Sequence, residues 1–240
     1  MDAPMEVSLV IPAYNEDECI ADAVAEVRQA LRKTGRSFEL VVVDDGSVDR
    51  TFSILRRLKP GMPELRALCL TRHCGQTAAM DAGFAHARGD IVITMDADRQ
   101  NDPADIPRLL EMTNEWDVVC GRRRKREDNL VRRISSRIAN RVRNRLTRET
   151  IRDTGCTLKA FRRTFLARVK LFEGMHRFLP TLLRLEGARV TEVEVGHRPR
   201  LRGESKYGVW NRLFRSLRDL FAVRWMQSRW IRYEIGEEIE

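Results

Sequence analysis

The sequence has no Cys-x-x-Cys pair and no histidine cluster at metal-ligand spacing. Its five cysteines, Cys19, Cys69, Cys74, Cys120 and Cys156, are scattered along the chain. That pattern suggests neither a zinc site nor a disulfide framework, and the thiols are expected to be reduced and mostly structural. There is also no N-terminal apolar run of signal-peptide type. The first strongly hydrophobic stretch, residues 7–11, is strand-sized and runs into Pro12. The chain is therefore expected to stay in the cytoplasm. No apolar run reaches the ~18 residues needed to span a bilayer, so the expectation is a protein that lies on a membrane and does not cross it. No repeat or low-complexity linker breaks the chain.

The chain has 240 residues, 42% of them hydrophobic, which is enough for one substantial core. We read one domain over residues 1–208 and a basic amphipathic tail over 209–240. Lys and Arg number 44 against 35 Asp and Glu, a formal net charge of +9. Such an excess suits nucleic acid, anionic lipid or a phosphate-rich substrate. Its distribution separates these partners. Basic residues are sparse in the first half, then crowd into residues 122–148 and 198–232. Both stretches carry apolar residues at helical spacing, as a membrane-surface face does. Within the tail, Trp210, Leu213, Phe214, Leu217, Phe221 and Trp225 share one helical face. Aromatics gathered on an apolar face do not interleave with charge as stacking platforms, which argues against a nucleic-acid-binding protein.

The first half alternates short β-branched runs with amphipathic stretches, the pattern of parallel strands joined by crossover helices. Strands are predicted at residues 7–11, 40–43, 67–70, 91–95 and 118–120. Helices are predicted at 17–33, 49–58, 76–87 and 103–114, each beginning near a polar cap or a proline suited to the first turn. The second half reads as a basic amphipathic segment at 130–146, the turn Asp153-Thr-Gly-Cys156, a helix around 177–185, an edge strand at 190–195 and the tail helix. In open sheets of this kind ligands bind beyond the carboxyl ends of the strands, so the residues just after each strand are the candidate site.

Asp96-Ala-Asp98 follows the apolar strand at 91–95, with Gln100 two residues on. Two or three oxygen ligands on a tight turn suit a hard divalent cation, Mg²⁺ or Mn²⁺, with substrate phosphates completing its shell. Such a cation neutralises charge on a departing nucleoside diphosphate. Asp-x-Asp is a weak motif alone and equally describes two turn aspartates capping a helix. Asp44-Asp-Gly-Ser47 also follows an apolar strand. A carboxylate there can accept hydrogen bonds from a base or ribose, or the segment can be a strand-to-helix turn relieved by Gly46 and capped by Ser47 or Asp49. In Pro12-Ala-Tyr-Asn-Glu16, Tyr14 can stack on a base, or Asn15 and Glu16 can simply start a helix.

Together with Arg72-His-Cys-Gly-Gln76, Gly121-Arg-Arg123 and Gly203-Glu-Ser-Lys-Tyr207, these segments resemble the family-two glycosyltransferases of the dolichol-phosphate mannose synthase and bacterial polyprenyl-phosphate glycosyltransferase group. The resemblance covers roughly residues 5–208. It implies a Rossmann-like α/β fold of the nucleotide-diphospho-sugar transferase (GT-A) type, with a mostly parallel central sheet flanked by helices and amphipathic helices at the C-terminus. The implied reaction is metal-dependent inverting transfer of a sugar from a UDP- or GDP-sugar to a polyprenyl phosphate, at the cytoplasmic face of a membrane. Nucleotide contacts fall on Pro12, Tyr14, Glu16, Val43, Asp45 and Ala97. The metal falls to Asp98 and Gln100, and Asp96 lies near the ribose and diphosphate. Arg123 is the arginine of Gly-x-Arg, Arg200 and Lys206 form a basic pair closing over the diphosphate, and Arg132 and Ser136 receive the acceptor phosphate. Asp96, Asp98, Arg123, Arg132 and Ser136 form the implied catalytic group.

The chain departs from the family pattern in several places. Arg99 stands where many relatives have leucine, and its side chain is expected to point away from the metal. Many relatives carry transmembrane helices after the Ser-Lys-Tyr segment, so attachment here is expected to depend on the amphipathic segments. Around His176, where other members of the superfamily place an acidic base, there is no Asp or Glu, Glu173 being nearest. A phosphate acceptor is already an anion and needs alignment more than proton removal. His176 either contacts substrate or packs against a helix start. The alternative activity is glycosylation of a sugar or lipid hydroxyl, which would want a general base. The sugar, the choice of UDP or GDP, and the oligomeric state are not legible in the sequence.

Overall fold

The computed structural model describes residues 5–124, 144, 149–199 and 209–231, with side chains of the last segment from 217 onward. Its strands are β1 (Val7–Ala13), β2 (Phe38–Asp44), β3 (Leu65–Cys69), β4 (Ile91–Thr94), β5 (Val118–Arg123), β6 (Lys159–Arg162) and β7 (Val190–Val195). The α-helices are α1 (Ile20–Arg32), α2 (Thr51–Leu58), α3 (Gln76–His86), α4 (Ile106–Met112), α5 (Arg163–Leu166), α6 (Leu179–Leu185) and α7 (Val209–Ser228). Single 3₁₀ turns occupy Lys59–Gly61, Pro103–Asp105 and Met175–Phe178.

The strands form one seven-stranded sheet in the order β3-β2-β1-β4-β6-β5-β7. The pairs β1·β2, β1·β4, β2·β3 and β5·β7 are parallel, and β6 runs antiparallel between β4 and β5. Along β1 the side chains alternate between two cores. Val7, Leu9 and Ile11 meet α1 and α4 through Ile20, Val24, Val27 and Ile106, whereas Val10 joins Val41, Val43, Ala79, Phe161 and Leu183 on the opposite face. In α1 the buried residues Ile20, Ala23, Val24, Val27, Ala30 and Leu31 follow the i, i+3, i+4 spacing that puts them on one stripe. Helix α3 buries Thr77, Ala79, Met80 and Gly83 and rides close to the sheet: a Cβ on Gly83 would lie 2.3 Å from a Val10 methyl. Each fully buried aliphatic chain contributes ~1.5–3 kcal/mol, so these two layers hold the sheet.

The amino ends of the central strands are locked by a polar knot around Glu39, which is 2% exposed. Its carboxylate accepts from the Ser8 hydroxyl at 2.6 Å, Arg66 Nη1 at 2.6 Å and the Arg88 N–H at 2.7 Å. The carboxyl ends are left to loops. The ladder from β1 to β4 ends at Val10–Thr94, two residues before Pro12, so proline's missing N–H costs the β1–β4 pairing nothing.

Helix α7 meets the rest of the fold through Leu220 and Val223, which pack with Met175, Phe178 and Leu182. Its Asp219 lies against Gly174 (φ +83°), where a Cβ would fall 2.5 Å from the Asp219 carboxylate. Leu217, Phe221 and Trp225 of the same helix are exposed, by 39%, 63% and 64%. Among the described residues, no helix is long and apolar enough to cross a membrane.

Candidate active site

Strand β1 lies between β2, which precedes β3 outward on one side, and β4 on the other, so the order of the parallel strands reverses there. In an open parallel sheet this switch point is where loops part and leave a crevice. The loops after β1, β2 and β4 line it.

The first two loops are stitched together. The Asn15 N–H donates to Ser47 Oγ at 2.8 Å and the Val48 N–H to Asn15 Oδ1 at 3.0 Å, while the Glu16 N–H donates to Thr51 Oγ1 at 2.9 Å. Asn15 has φ +52°, a left-handed conformation that asparagine tolerates. Asp44 turns its carboxylate back onto the Ser47 hydroxyl and N–H and so shapes the turn. Asp45 takes a different part. It is 2% exposed and accepts the N–H groups of Cys74 and Gly75, each at 2.8 Å, and His73 Nδ1 at 2.8 Å. Gly46 (φ +67°) permits the approach, because a Cβ there would sit 2.5 Å from the Arg72 carbonyl carbon. The His73 ring then lies flat on Tyr14, centroids 3.9 Å apart and planes 23° apart.

The third loop carries the carboxylates. Asp96 accepts from Gln76 Nε2 at 2.9 Å. Burial first, then the Asp98 charge, with a further push from Glu16, raises its carboxyl to about 6, against the pull of Thr157 and Lys159. Asp98 Oδ1 accepts the Gln100 N–H at 3.2 Å. Between them Arg99 adopts φ +60° and points away from the crevice, bonding Asp22 at 2.6 Å and Glu26 on α1. The following residues are tied to the end of β7 by an Asn101–His197 bridge and by the Arg198 N–H donating to the Gln100 carbonyl at 2.9 Å.

Of the expected site residues, Tyr14, Glu16, Asp45, Asp96, Asp98 and Gln100 follow the carboxyl ends of β1, β2 and β4, and Pro12 lies within β1, one residue before its end. Val43 and Ala97 have buried side chains in the two cores, so only their backbone can meet a ligand. Arg123 is held by Asp153, through Nε at 2.8 Å, Nη2 at 2.8 Å and its own N–H at 3.2 Å. Arg132, Ser136, Arg200 and Lys206 lie outside the described residues, as does all of the 130–146 segment except Asn144.

This ordered set of strand-end carboxylates sits in a stretch that matches a known family. The sequence profile of glycosyl transferase family 2 matches residues 8–170. The chain belongs to that family. It is 40% identical over 226 residues to dodecaprenyl-phosphate galacturonate synthase of Rhizobium johnstonii, covering 91% of this chain and 66% of that protein. It is also 40% identical over 206 residues to undecaprenyl-phosphate 4-deoxy-4-formamido-L-arabinose transferase of Edwardsiella ictaluri, covering 85% of this chain and 63% of that one. The chain thus spans just under two-thirds of these relatives. Among solved structures it resembles a Pyrobaculum calidifontis mannosyltransferase in complex with GDP-Man and Mn²⁺ (TM-score 0.63, 21% identity, 94% of this chain and 64% of that one). It also resembles Mycobacterium tuberculosis glucosyl-3-phosphoglycerate synthase with Mg²⁺ and UDP (TM-score 0.70, 21% identity, 97% and 83%). At that identity the likeness establishes the GT-A fold.

Several residues of this family-2 glycosyltransferase site carry no role in the sequence reading. Gln76 and Asp153 lie in segments conspicuous as motifs, but their partners are 20 and 30 residues away. Lys159, 4% exposed on β6 opposite Thr94 and Cys120, turns its ammonium to the carbonyls of Thr154 and Cys156. His176 packs against a helix start: its Nδ1 lies 2.7 Å from Thr77 Oγ1 in the first turn of α3. That hydroxyl also accepts the Gly174 N–H at 3.0 Å. Burial, reinforced by Arg177 and Lys159, lowers the imidazole to about 3 and keeps it neutral.

Proposed function

We propose that this chain transfers a sugar from a nucleoside-diphosphate donor, UDP- or GDP-linked, to the phosphate of a polyprenyl lipid, with inversion at the anomeric carbon. The observation that carries the reading is the Asp96/Asp98 pair at the switch point of the sheet, with the Asp96 carboxyl raised to about 6 by burial and by its neighbour's charge. Two carboxylates held in mutual repulsion on one tight loop are what a bound cation relieves. Among the described residues no cluster of three or more His, Cys, Asp or Glu is able to hold a metal alone. The oxygen donors of Asp98 and Gln100 fit a hard ion that shares its shell with substrate phosphates, Mg²⁺ or Mn²⁺. When bound, such an ion neutralises charge on the leaving diphosphate.

The chain's own groups supply the remainder. Asp45 and the 73–75 loop form the nucleoside end of the crevice, and Glu16 bounds it beside Asp96. Arg123 is oriented by Asp153; the family resemblance assigns Arg132 and Ser136 to the acceptor phosphate and Arg200 and Lys206 to the diphosphate. The acceptor oxygen attacks C1 of the sugar as the C1–O bond to the diphosphate breaks. A phosphate is anionic at neutral pH and gives up no proton in that step. The position of His176 fits this: it is neutral, buried and engaged with Thr77. The names of the relatives, which are polyprenyl-phosphate transferases, support the same acceptor.

The apolar stripe of α7 supports peripheral attachment to an anionic membrane at its cytoplasmic face. Leu217, Phe221 and Trp225 face solvent, and Phe172 and Ile231 are exposed as well. Arg218, midway along the helix, and Arg229, just beyond it, are also exposed. Aromatic side chains at the headgroup level and arginines against lipid phosphates suit that surface.

Product formation decides the acceptor. With Mn²⁺ and a panel of UDP- and GDP-sugars, the chain should glycosylate undecaprenyl or dolichyl phosphate and leave the corresponding alcohols, diacylglycerol and free sugars untouched. Turnover on hydroxyl acceptors alone would replace this reading with the hydroxyl-transfer alternative.

A further inference from the structure

Tyr14 is the side chain expected to stack on a nucleobase, yet one face of its ring is already covered. The His73 imidazole lies on it with a centroid separation of 3.9 Å and planes 23° apart, which leaves no room for a third ring between them. His73 is fixed from two further directions. Its Nδ1 is 2.8 Å from an Asp45 carboxylate that is itself buried and anchored by the next two backbone N–H groups, of Cys74 and Gly75. Its backbone is pressed against Gly46, where a Cβ would come within 2.7 Å of the His73 nitrogen. Despite this restraint the side chain remains 43% exposed. A ring held by a stack, a charged hydrogen bond and its own backbone, but open to solvent, is pre-organised to receive a flat partner.

We propose that His73 is the platform for the donor nucleobase, which stacks on the imidazole face turned away from Tyr14 and extends the Tyr14–His73 pair into a three-ring stack. This rests on the reading of the crevice as a nucleoside-diphosphate site. Every base offers a π-face, so the platform serves uracil and guanine alike, and base choice must come from edge contacts elsewhere. The Asp45 carboxylate fixes the angle of the ring, making Asp45 a positioning residue for His73. The pyrophosphate end of the donor does not touch His73.

Calorimetry with Mn²⁺ present, titrating UDP, GDP and inorganic pyrophosphate into the wild type, His73→Ala and His73→Phe, tests this. Removing the ring should weaken UDP and GDP binding on the order of 5- to 100-fold, the range for losing one base–aromatic stack. Pyrophosphate binding should be unchanged, and His73→Phe should keep most of the nucleotide affinity. If His73→Ala binds the nucleotides as well as the wild type or better, the ring is absent from the stack or occupies the base's seat, and the proposal is overturned. An equal loss for pyrophosphate means that the ring merely supports the loop, and it overturns the proposal too. Wild-type protein that binds pyrophosphate but neither nucleotide overturns the donor reading itself, and the platform with it.

Discussion

Arg198 Nη1 stands 2.7 Å from Glu26 Oε2, and the other oxygen of that carboxylate is taken by Arg99. One side chain on α1 thus grips both the carboxylate loop, through Arg99, and the segment leaving β7, through Arg198, which also reaches Asp102 at 2.8 Å. Burial alone would raise the Glu26 carboxyl, but the bonds from Arg99 and Arg198 bring it below its usual range. Arg99, the departure from the family pattern, has become half of a clamp between the loop that carries Asp98 and the segment that continues to Arg200.

Neutralising the clamp should loosen donor and metal together. Glu26→Gln is expected to raise the apparent donor KM and the Mn²⁺ concentration for half-activation by roughly fivefold, about 1 kcal/mol, with a smaller effect on kcat. Steady-state kinetics at varied donor and Mn²⁺ check this, and unchanged constants would reduce the clamp to a surface contact.

Asp98→Ala should cut turnover by at least about a hundredfold, since a metal's charge stabilisation amounts to several kcal/mol, and Asp96→Ala nearly as far. The pH dependence has a definite sign. The Asp96 carboxyl, at about 6 in the fold against 3.8 ordinarily, destabilises the protein as pH rises through that interval. A cation binds the ionised form, so the thermal shift produced by Mn²⁺ with UDP should grow between pH 5 and pH 7.5, and Asp96→Asn should flatten that growth. A shift in wild type that is constant with pH would remove Asp96 from the metal's surroundings.

The parallel half of the fold was legible because its strands are apolar runs with polar punctuation, and β1, β2, β4 and β5 extend the expected cores by a few residues or match them closely. Strand β6 escaped because it has only four residues and begins with Lys159, whose buried ammonium is satisfied by carbonyls that no sequence pattern announces. The Asp-x-Asp loop was legible as a motif and as a turn after a buried strand. The partners that aim the site were not: Asp153 for Arg123, Gln76 for Asp96 and Glu26 for Arg99 are brought together only by the assembled sheet and the helices on it. For α7, helical spacing told which residues share a face but not which apolar face meets the protein. Leu220 and Val223 do so, leaving Leu217, Phe221 and Trp225 outward.

His176 should mark the acid limit of stability. Its imidazole is neutral in the fold down to about pH 3 but takes a proton near 6.5 when unfolded. The unfolded chain therefore binds the extra proton between these values, and stability falls as pH drops through that window, by up to about 1.4 kcal/mol per unit. His176→Gln should shallow the slope measured by urea unfolding between pH 6.5 and 4. An identical slope would show that other groups govern acid unfolding.

Removing the tail would uncover Met175, Phe178 and Leu182, so point changes test its outer face more cleanly. Phe221→Ser with Trp225→Ser should leave the melting temperature nearly unchanged and weaken flotation with anionic vesicles at least tenfold, each side chain contributing roughly 2 kcal/mol when buried in lipid. Leu220→Ala should instead cost about 2–4 kcal/mol of folding stability. If the double variant floats as well as wild type, the stripe is not the contact with lipid.

The contact of Asp219 with Gly174 gives α7 a short mechanical path to the chemistry. Gly174 donates to Thr77, and Thr77 adjoins Gln76, which holds Asp96. A helix resting on lipid would therefore set the altitude of the catalytic loop above the bilayer as a tripod leg sets its head. With that altitude fixed by protein, a lipid phosphate acceptor of the kind proposed would be selected by how far its phosphate rises from the headgroups. The number of isoprene units beneath it should then matter little.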